Sequence, residues 1–453
     1  MHLLSTPGRK RYRSPAMQRI WNADGRKPTS ERQGIAEGNV FADPVPEAGH
    51  AGSTMDIAGG LYRELCDLPH WNALFGSGGR AAAASSSLSE QTTLHTYCQN
   101  PATAGLEHLE KLGIVIRTHS GAPEIAFAYF HPLSSPHMQP SRETIRRGPP
   151  IHVAGEVVLR FGFVEGEAVV EAERAIYDPQ TRHEPEPFAY NGSRAKRLAV
   201  VLNELEVQAA GRSPETADAV ATLMDEQNVA VVVVKRGARG ALVFERGASP
   251  ALVPAYRSDR VFKIGTGDVF SSIFAHHWGE RRASAREAAD LASRAVATYC
   301  NSRELPPSRA SAPTVTLQPA PTASPGSVLL LGKAASLGSR WLMEEARFRL
   351  NELGVEVHAP GLDDAGPCGR VAAVLILSDG LHEPADMGSY PATVPTVILC
   401  EDHAPEWLTS MGADGTRITD DFTSAVYFSA WAAASPLPTP FERYNPPSGA
   451  YAL

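Results

Sequence analysis

Cysteine is scarce in this chain: Cys66, Cys98, Cys300, Cys368 and Cys400 are the whole complement among 453 residues. An odd, scattered set without CxxC spacing makes neither a disulfide framework nor a zinc site, so these residues are expected to be buried small hydrophobes or ordinary thiols. The cytosol is the expected compartment. An excess of positive charge is also missing, with 42 lysines and arginines against 50 aspartates and glutamates and a formal net charge of −8. Nucleic acid is therefore not an expected partner, because phosphate backbones need a positive surface. Long apolar runs are absent too. The longest, around Val229 to Val234, falls far short of the ~18 residues that span a bilayer and suits a buried strand, which excludes a membrane partner at this level. What is left is the composition of a soluble globular protein, in a chain too long for one core at roughly 100–200 residues per domain.

Residues 1–54 open with Arg9, Lys10, Arg11 and Arg13 and continue in Gly, Pro, Ser and Ala without period. They are expected to be a disordered extension. An organellar transit peptide and an over-extended gene start, with Met55 as the true beginning, stay open beside that reading. A second break at 306–326 is crowded with Pro, Ser, Thr and Ala and reads as a semi-extended linker. It divides a body of 55–305 from a unit of 327–436, after which 437–453 is a Pro-rich tail.

In the body, strand-like VVLRFGFV, LAVVL and NVAVVVVKRG alternate with helical ETADAVATLMDEQ, the grammar of a parallel sheet covered on both faces. The C-terminal unit repeats it. SVLLLG is a strand, and SRWLMEEARFRLNELG puts Leu342, Ala346, Leu350 and Leu353 on one stripe before Gly354 caps the helix. VEVHA, VAAVLIL and VPTVILC are further strands, and FTSAVYFSAW is a closing helix. Both units are α/β.

FKIGTGDVFSSIFAHHW, residues 262–278, carries the densest chemistry. Gly265 and Gly267 let backbone N–H groups turn toward one point at the positive end of the following helix. Asp268 stands at the lip, where a carboxylate can take a proton from an attacking hydroxyl. Alone, GTGD is either a tight turn capped by Asp or an anion hole. His276 and His277, adjacent on a helix, point about 100° apart and are expected at the surface or in the core rather than on a metal.

The segment resembles the signature of PfkB-family, ribokinase-like sugar and nucleoside kinases, and other elements follow in family order: FGSGGRAAAA at 75–84, Asn203 and Glu206 in LNELE, and the hairpin VVVVKRGARGALVF. The resemblance covers about 55–305 and implies a three-layer α/β/α domain with ATP and Mg2+ as cofactors. It makes Asp268 the general base and the backbone of Gly265, Thr266 and Gly267 the anion hole. Asn203 and Glu206 would organise phosphate and magnesium, Glu206 indirectly, and Lys235, Gly237 and Gly240 would hold the nucleotide. Gly78, Gly79 and Arg80 would meet a small-molecule sugar or nucleoside. Glu64 is either an acceptor contact or an exposed helix carboxylate. This chain departs from the usual GGKGAN by placing Ala83 at the Asn position and from the usual Asp-Thr by Phe262-Lys263-Ile264, which leaves the acceptor open. FAYFHPLSSPHMQ is read as the remnant of lid-side β-structure.

Residues 327–432 resemble the nucleoside 2-deoxyribosyltransferases, a smaller Rossmann-like α/β domain. Asp379 would be the acid after the central strand and Asp386 would stand near the nucleophile's position, a shorter arm than the Glu that attacks the anomeric carbon. Glycosyl transfer, a nucleoside-sensing or oligomerising domain, and a structural partner all remain open, and a homo-oligomer is compatible with members that build sites across subunits. The expected function is phosphoryl transfer to a sugar or nucleoside hydroxyl. The alternatives are a non-catalytic nucleotide or sugar sensor, and a deoxyribosyltransferase or hydrolase acting through the C-terminal unit.

Overall fold

The computed structural model describes residues 54–101, 105–120, 123–181, 185–307, 317–362, 371–382, 394–401 and 416–435. The expected N-terminal extension, save Thr54, and the tail lie outside the described residues.

The strands of the body are β1 (Thr54–Ala58), β2 (Arg63–Cys66), β3 (Trp71–Leu74), β4 (Gln91–Tyr97), β5 (Val115–His119), β6 (Ala126–Tyr129), β7 (His137–Gln139), β8 (Ile151–Phe161), β9 (Ala168–Asp178), β10 (Arg194–Asn203), β11 (Val231–Lys235), β12 (Ala241–Glu245) and β13 (Ala251–Val253). Its helices are α1 (Gly76–Ser85), α2 (Glu107–Glu110), α3 (Glu204–Gly211), α4 (Thr216–Gln227), α5 (Thr266–Phe274) and α6 (Ala285–Ser302). Nine strands make one sheet in the order β13-β12-β11-β10-β9-β8-β1-β4-β5. It is parallel from β5 through β11 and antiparallel at the β11–β12 and β12–β13 pairs.

The period of two along β11 explains the layers. Val231 and Val233 point into a core shared with α1, α5 and α6, while Val232 and Val234 point into a second core shared with α4. A small sheet, β3-β2-β6-β7, stands apart from the large one. Its β6–β7 hairpin takes in FAYFHPLSSPHMQ, so that stretch is β-structure.

The C-terminal unit contains β14 (Ser327–Leu331), α7 (Leu337–Glu352), β15 (Glu356–His358), β16 (Val371–Leu377), β17 (Thr396–Leu399), β18 (Thr416–Thr419) and α8 (Phe422–Ala433). Its sheet, β15-β14-β16-β17-β18, is parallel throughout. Strand β18 has no counterpart in the sequence reading, because TRIT is too short and too polar to announce itself. Of the stripe expected on α7, Ala346 and Leu350 are buried, joined by Met343.

The two units are not beads on a string. One hydrophobic cluster runs from Ala238, Val261 and Cys300 of the body into Leu350, Leu375, Tyr427 and Trp431. The described part of the expected linker packs against the body as well, with Ala320 buried and its N–H donating to the Ala255 carbonyl at 2.7 Å. Across the junction the Val261 N–H donates to Ser424 Oγ at 2.9 Å, Trp431 Nε1 donates to the Ala238 carbonyl at 3.0 Å, and His131 Nε2 lies 3.0 Å from Glu345.

Candidate functional site

Gly265 adopts φ +75°, and this left-handed residue starts α5. A Cβ there would lie 2.1 Å from Arg80 Nε, so the turn has no room for a side chain. Thr266, Gly267 and Asp268 form the first turn, where the N–H groups have no intrahelical partner and the helix dipole favours an anion. Lys235 Nζ is 3.5 Å from where a Gly267 Cβ would stand, and Lys263 Nζ donates to Thr266 Oγ1 at 3.0 Å. Burial, chiefly, lowers the Lys263 pKa; a bound anion would offset that cost.

Asp268 is 7% exposed. Gln180 Nε2 donates to its Oδ1 at 2.6 Å, and Arg80 Nη1 donates to its Oδ2 at 3.3 Å. Burial pushes its pKa up to about 7 against the pull of Arg80, with Glu64 and Asp178 adding to the rise. A buried carboxylate poised near neutrality is what proton abstraction from an alcohol at pH 7 asks for. Arg80 is fully buried and also grips both carboxylate oxygens of Glu64. Behind the anion hole Asp178 Oδ2 accepts from Lys235 Nζ and from Ser271 Oγ, both at 2.7 Å.

Two cavities meet here. One, of about 780 Å³, lies under the small sheet and is lined by Tyr62, Glu64, Tyr129, Arg142, Arg147, Arg160, Gln180 and Asp268 among others. The other, of about 110 Å³, is lined by Lys235, Gly237, Gly240, Lys263 and Thr266 and by apolar residues of both units. Gly267 lines both. A group held at the start of α5 would therefore be reached from both cavities.

Of the residues singled out from sequence, Gly265, Thr266, Gly267, Asp268, Lys235, Gly237 and Gly240 come together at this junction. Asn203 and Glu206 are close by, since Asn203 is the register partner of Lys235. Their side chains form a reciprocal capping box on α3, Asn203 Oδ1 accepting from Glu206 N–H and Glu206 Oε2 from Asn203 N–H. Glu64 is neither exposed nor helical: it is on β2, 5% exposed, and lines the larger cavity. Gly78, Gly79 and Arg80 differ from the expected substrate contacts. A Gly78 Cβ would be 2.5 Å from the Gly59 carbonyl oxygen and a Gly79 Cβ 2.9 Å from Leu61, so these glycines let α1 approach the chain beneath it, while Gly76 and Ser77 line the cleft. Arg80 lies behind Asp268 and supports it. Asp379 is in the exposed turn after β16, and Asp386 lies outside the described residues.

Sequence reasoning missed Gln180, Asp178, Ser271 and the cleft arginines. Gln180 has φ +51°, a backbone state that no pattern in DPQT announces. His276 is a core residue, its Nδ1 2.5 Å from Glu280, and no group of three or more His, Cys, Asp or Glu able to hold a metal occurs among the described residues. No described helix is long and apolar enough to cross a membrane.

Glycine replacements separate fold from binding. Gly267→Val places its branches where an anion would lie, so the affinity for inorganic tripolyphosphate, read by calorimetry, is expected to fall at least ~10-fold with a small change in Tm. Gly265→Ala meets both the left-handed backbone and Arg80, and thermal melting is expected to show a loss of roughly 2 kcal/mol or more.

No curated protein matches the chain in sequence. Solved structures similar to it include a fructokinase from Vibrio cholerae O395 in fructose, ADP and calcium ion bound form (16% identity, 55% of this chain and 94% of that one, TM-score 0.41). An Arabidopsis thaliana ribokinase complexed with ribose and ATP is similar at 17% identity over 55% of this chain and 93% of that one, TM-score 0.41. An adenosine kinase from Sinorhizobium meliloti is similar at 12% identity over 55% and 94%, TM-score 0.39. Residues 196–306, the stretch from β10 through α6 that carries Asn203, Lys235, the anion hole and Asp268, match the pfkB family of carbohydrate kinases.

Proposed function

We propose that the chain is a phosphotransferase that moves the γ-phosphoryl group of ATP to a hydroxyl of a sugar or nucleoside. The observation that carries this is the position of Gly267, which lines the donor cavity and the acceptor cleft at once, with Asp268 next to it on the acceptor side. In the reaction the Asp268 carboxylate takes the proton of the acceptor hydroxyl as its oxygen bonds to phosphorus and the bond to the leaving diphosphate breaks. The amides at the start of α5, with the Lys235 and Lys263 ammonium groups, stabilise charge on the transferred group. The match of residues 196–306 to carbohydrate kinases supports this assignment.

The donor set fits the phosphates of ATP, with two cations and the first-turn amides of α5 at one point. It also fits magnesium in the manner that ion prefers, held mainly by phosphates and waters with few protein ligands. Glu206 would act through water, and Asp178 Oδ1, buried without a hydrogen-bond partner among the described residues, would face the same region. When bound, the metal supplies charge neutralisation between donor phosphates.

Asp268→Asn tests the assignment. Turnover is expected to fall by ~10²-fold or more while ADP affinity changes little, because a base acts in the transition state. Near-normal turnover in the variant would remove Asp268 from the reaction.

A further inference from the structure

The smaller cavity is lined by two unlike sets of residues: Lys235, Lys263, Thr266 and Gly267, and the apolar Val261, Phe270, Val296, Ala297 and Cys300 of the body with Tyr427 and Trp431 of α8. Its volume of about 110 Å³ is somewhat under the ~150 Å³ that encloses a benzene ring, so it takes the edge of a ring rather than a whole base. Cations and helix amides beside apolar and aromatic walls are the complement of a nucleotide. The aromatic part comes from the other unit. Tyr427 is 5% exposed and packs edge-on against Trp431. Its hydroxyl reaches the Gly237 turn, 3.5 Å from where a Cβ on Gly237 would be, and Trp431 is tied to the same turn through the Ala238 carbonyl.

We infer that the donor pocket is composite: the C-terminal unit supplies its aromatic wall, with Tyr427 contacting the nucleotide base and Trp431 holding α8 against the Gly237–Gly240 turn. This deepens the phosphotransferase assignment and rests on it for the identity of the donor, but it concerns binding and is tested without turnover. It also gives the C-terminal unit a role that needs no glycosyl chemistry of its own.

The test uses the full chain and two probes, ADP and inorganic tripolyphosphate, the second lacking a base. Tyr427→Ala is expected to weaken ADP about 10-fold, the usual scale for losing one aromatic contact to a base, and to leave tripolyphosphate within about 2-fold. Because that variant removes a buried ring, wild-type protein is also irradiated with 8-azido-ADP, and the label is expected on a peptide containing residues 422–433. Unchanged ADP affinity, an equal loss for both probes, label confined to the body, or a wild-type chain that binds tripolyphosphate but not ADP would each overturn the proposal. An Asp268→Asn variant that turned over normally would sink the catalytic assignment and leave this one standing.

Discussion

An Arg80→Ala variant is expected to melt about 10 °C below the wild-type chain at pH 8, the largest stability effect of any single substitution at the site. Arg80 is fully buried and its guanidinium bonds both Glu64 and Asp268, with the Phe75 ring 5.2 Å away and Tyr299 Oη 3.2 Å from Nε. Burying that charge was costly by itself, so the pair is weak evidence for net stability. Deleting one partner is different, since it leaves two buried carboxylates without the guanidinium that bonds them both, at roughly 3–5 kcal/mol. The deficit should shrink toward pH 5, where the stranded carboxylates can take up protons. Arg80→Lys keeps the charge and loses the fork that spans two acids, so an intermediate Tm is expected. Thermal melts at pH 5 and pH 8 check all of this; a Tm within a degree or two of wild type for Arg80→Ala would show that the arginine is not what holds the two acids together.

Asp268 makes the second large prediction, because its pKa ties activity and stability together with opposite signs. The base must be ionised to accept a proton, so kcat/KM is expected to rise with pH on an acid limb near 7 and to level off above it. Stability runs the other way. The folded pKa of about 7 lies above the usual carboxylate value of 3.8, so between those values the native state binds more protons than the unfolded one. The group's contribution to stability is therefore complete at low pH and is lost as pH climbs through 7. Asparagine imitates the protonated acid at every pH. Asp268→Asn should be as stable as wild type near pH 4 and more stable at pH 8, by on the order of 3–4 kcal/mol and several degrees in Tm. One substitution would thus remove activity and raise the melting point, the signature of a strained catalytic group. An acid limb that stayed near pH 4, or a variant less stable than wild type at pH 8, would contradict this account of Asp268.

The parts of this arrangement that were legible in the sequence are those with a local physical signature. The uninterrupted valines of β11 announced a strand buried on both faces, and the structure divides them alternately between two cores. The GTGD turn announced a glycine-led helix start, open between a capped turn and an anion hole, while Asn203 and Glu206, read as organisers of phosphate and magnesium, are tied up in a capping box that the reading did not foresee. What could not be read depends on distant contacts. FAYFHPLSSPHMQ reads as β-structure but gives no register, because its pairing with β2 joins residues some 63 positions apart in the chain. Arg80 read as a substrate contact since nothing nearby in sequence shows that Glu64 and Asp268 converge on it from positions 16 and 188 residues away. The Pro-rich stretch before β14 looked like a spacer, yet Ala320 is buried, because composition reports a preference for extended chain and not what that chain lies against. The docking of α8 on the Gly237 turn was hidden for the same reason: FTSAVYFSAW reads as a helix apolar enough to be buried, and only the fold says against what.

Mass-spectrometric detection of a phosphorylated product, after incubating the full chain with magnesium-ATP and a panel of nucleosides and pentoses, bears most directly on whether this junction of cavities transfers phosphoryl groups. The account predicts a product heavier than one of the acceptors by a phosphoryl group, formed by the wild-type chain and lost in Asp268→Asn. A chain that binds ADP and tripolyphosphate yet phosphorylates no member of the panel, or a product formed equally by the variant, would contradict it.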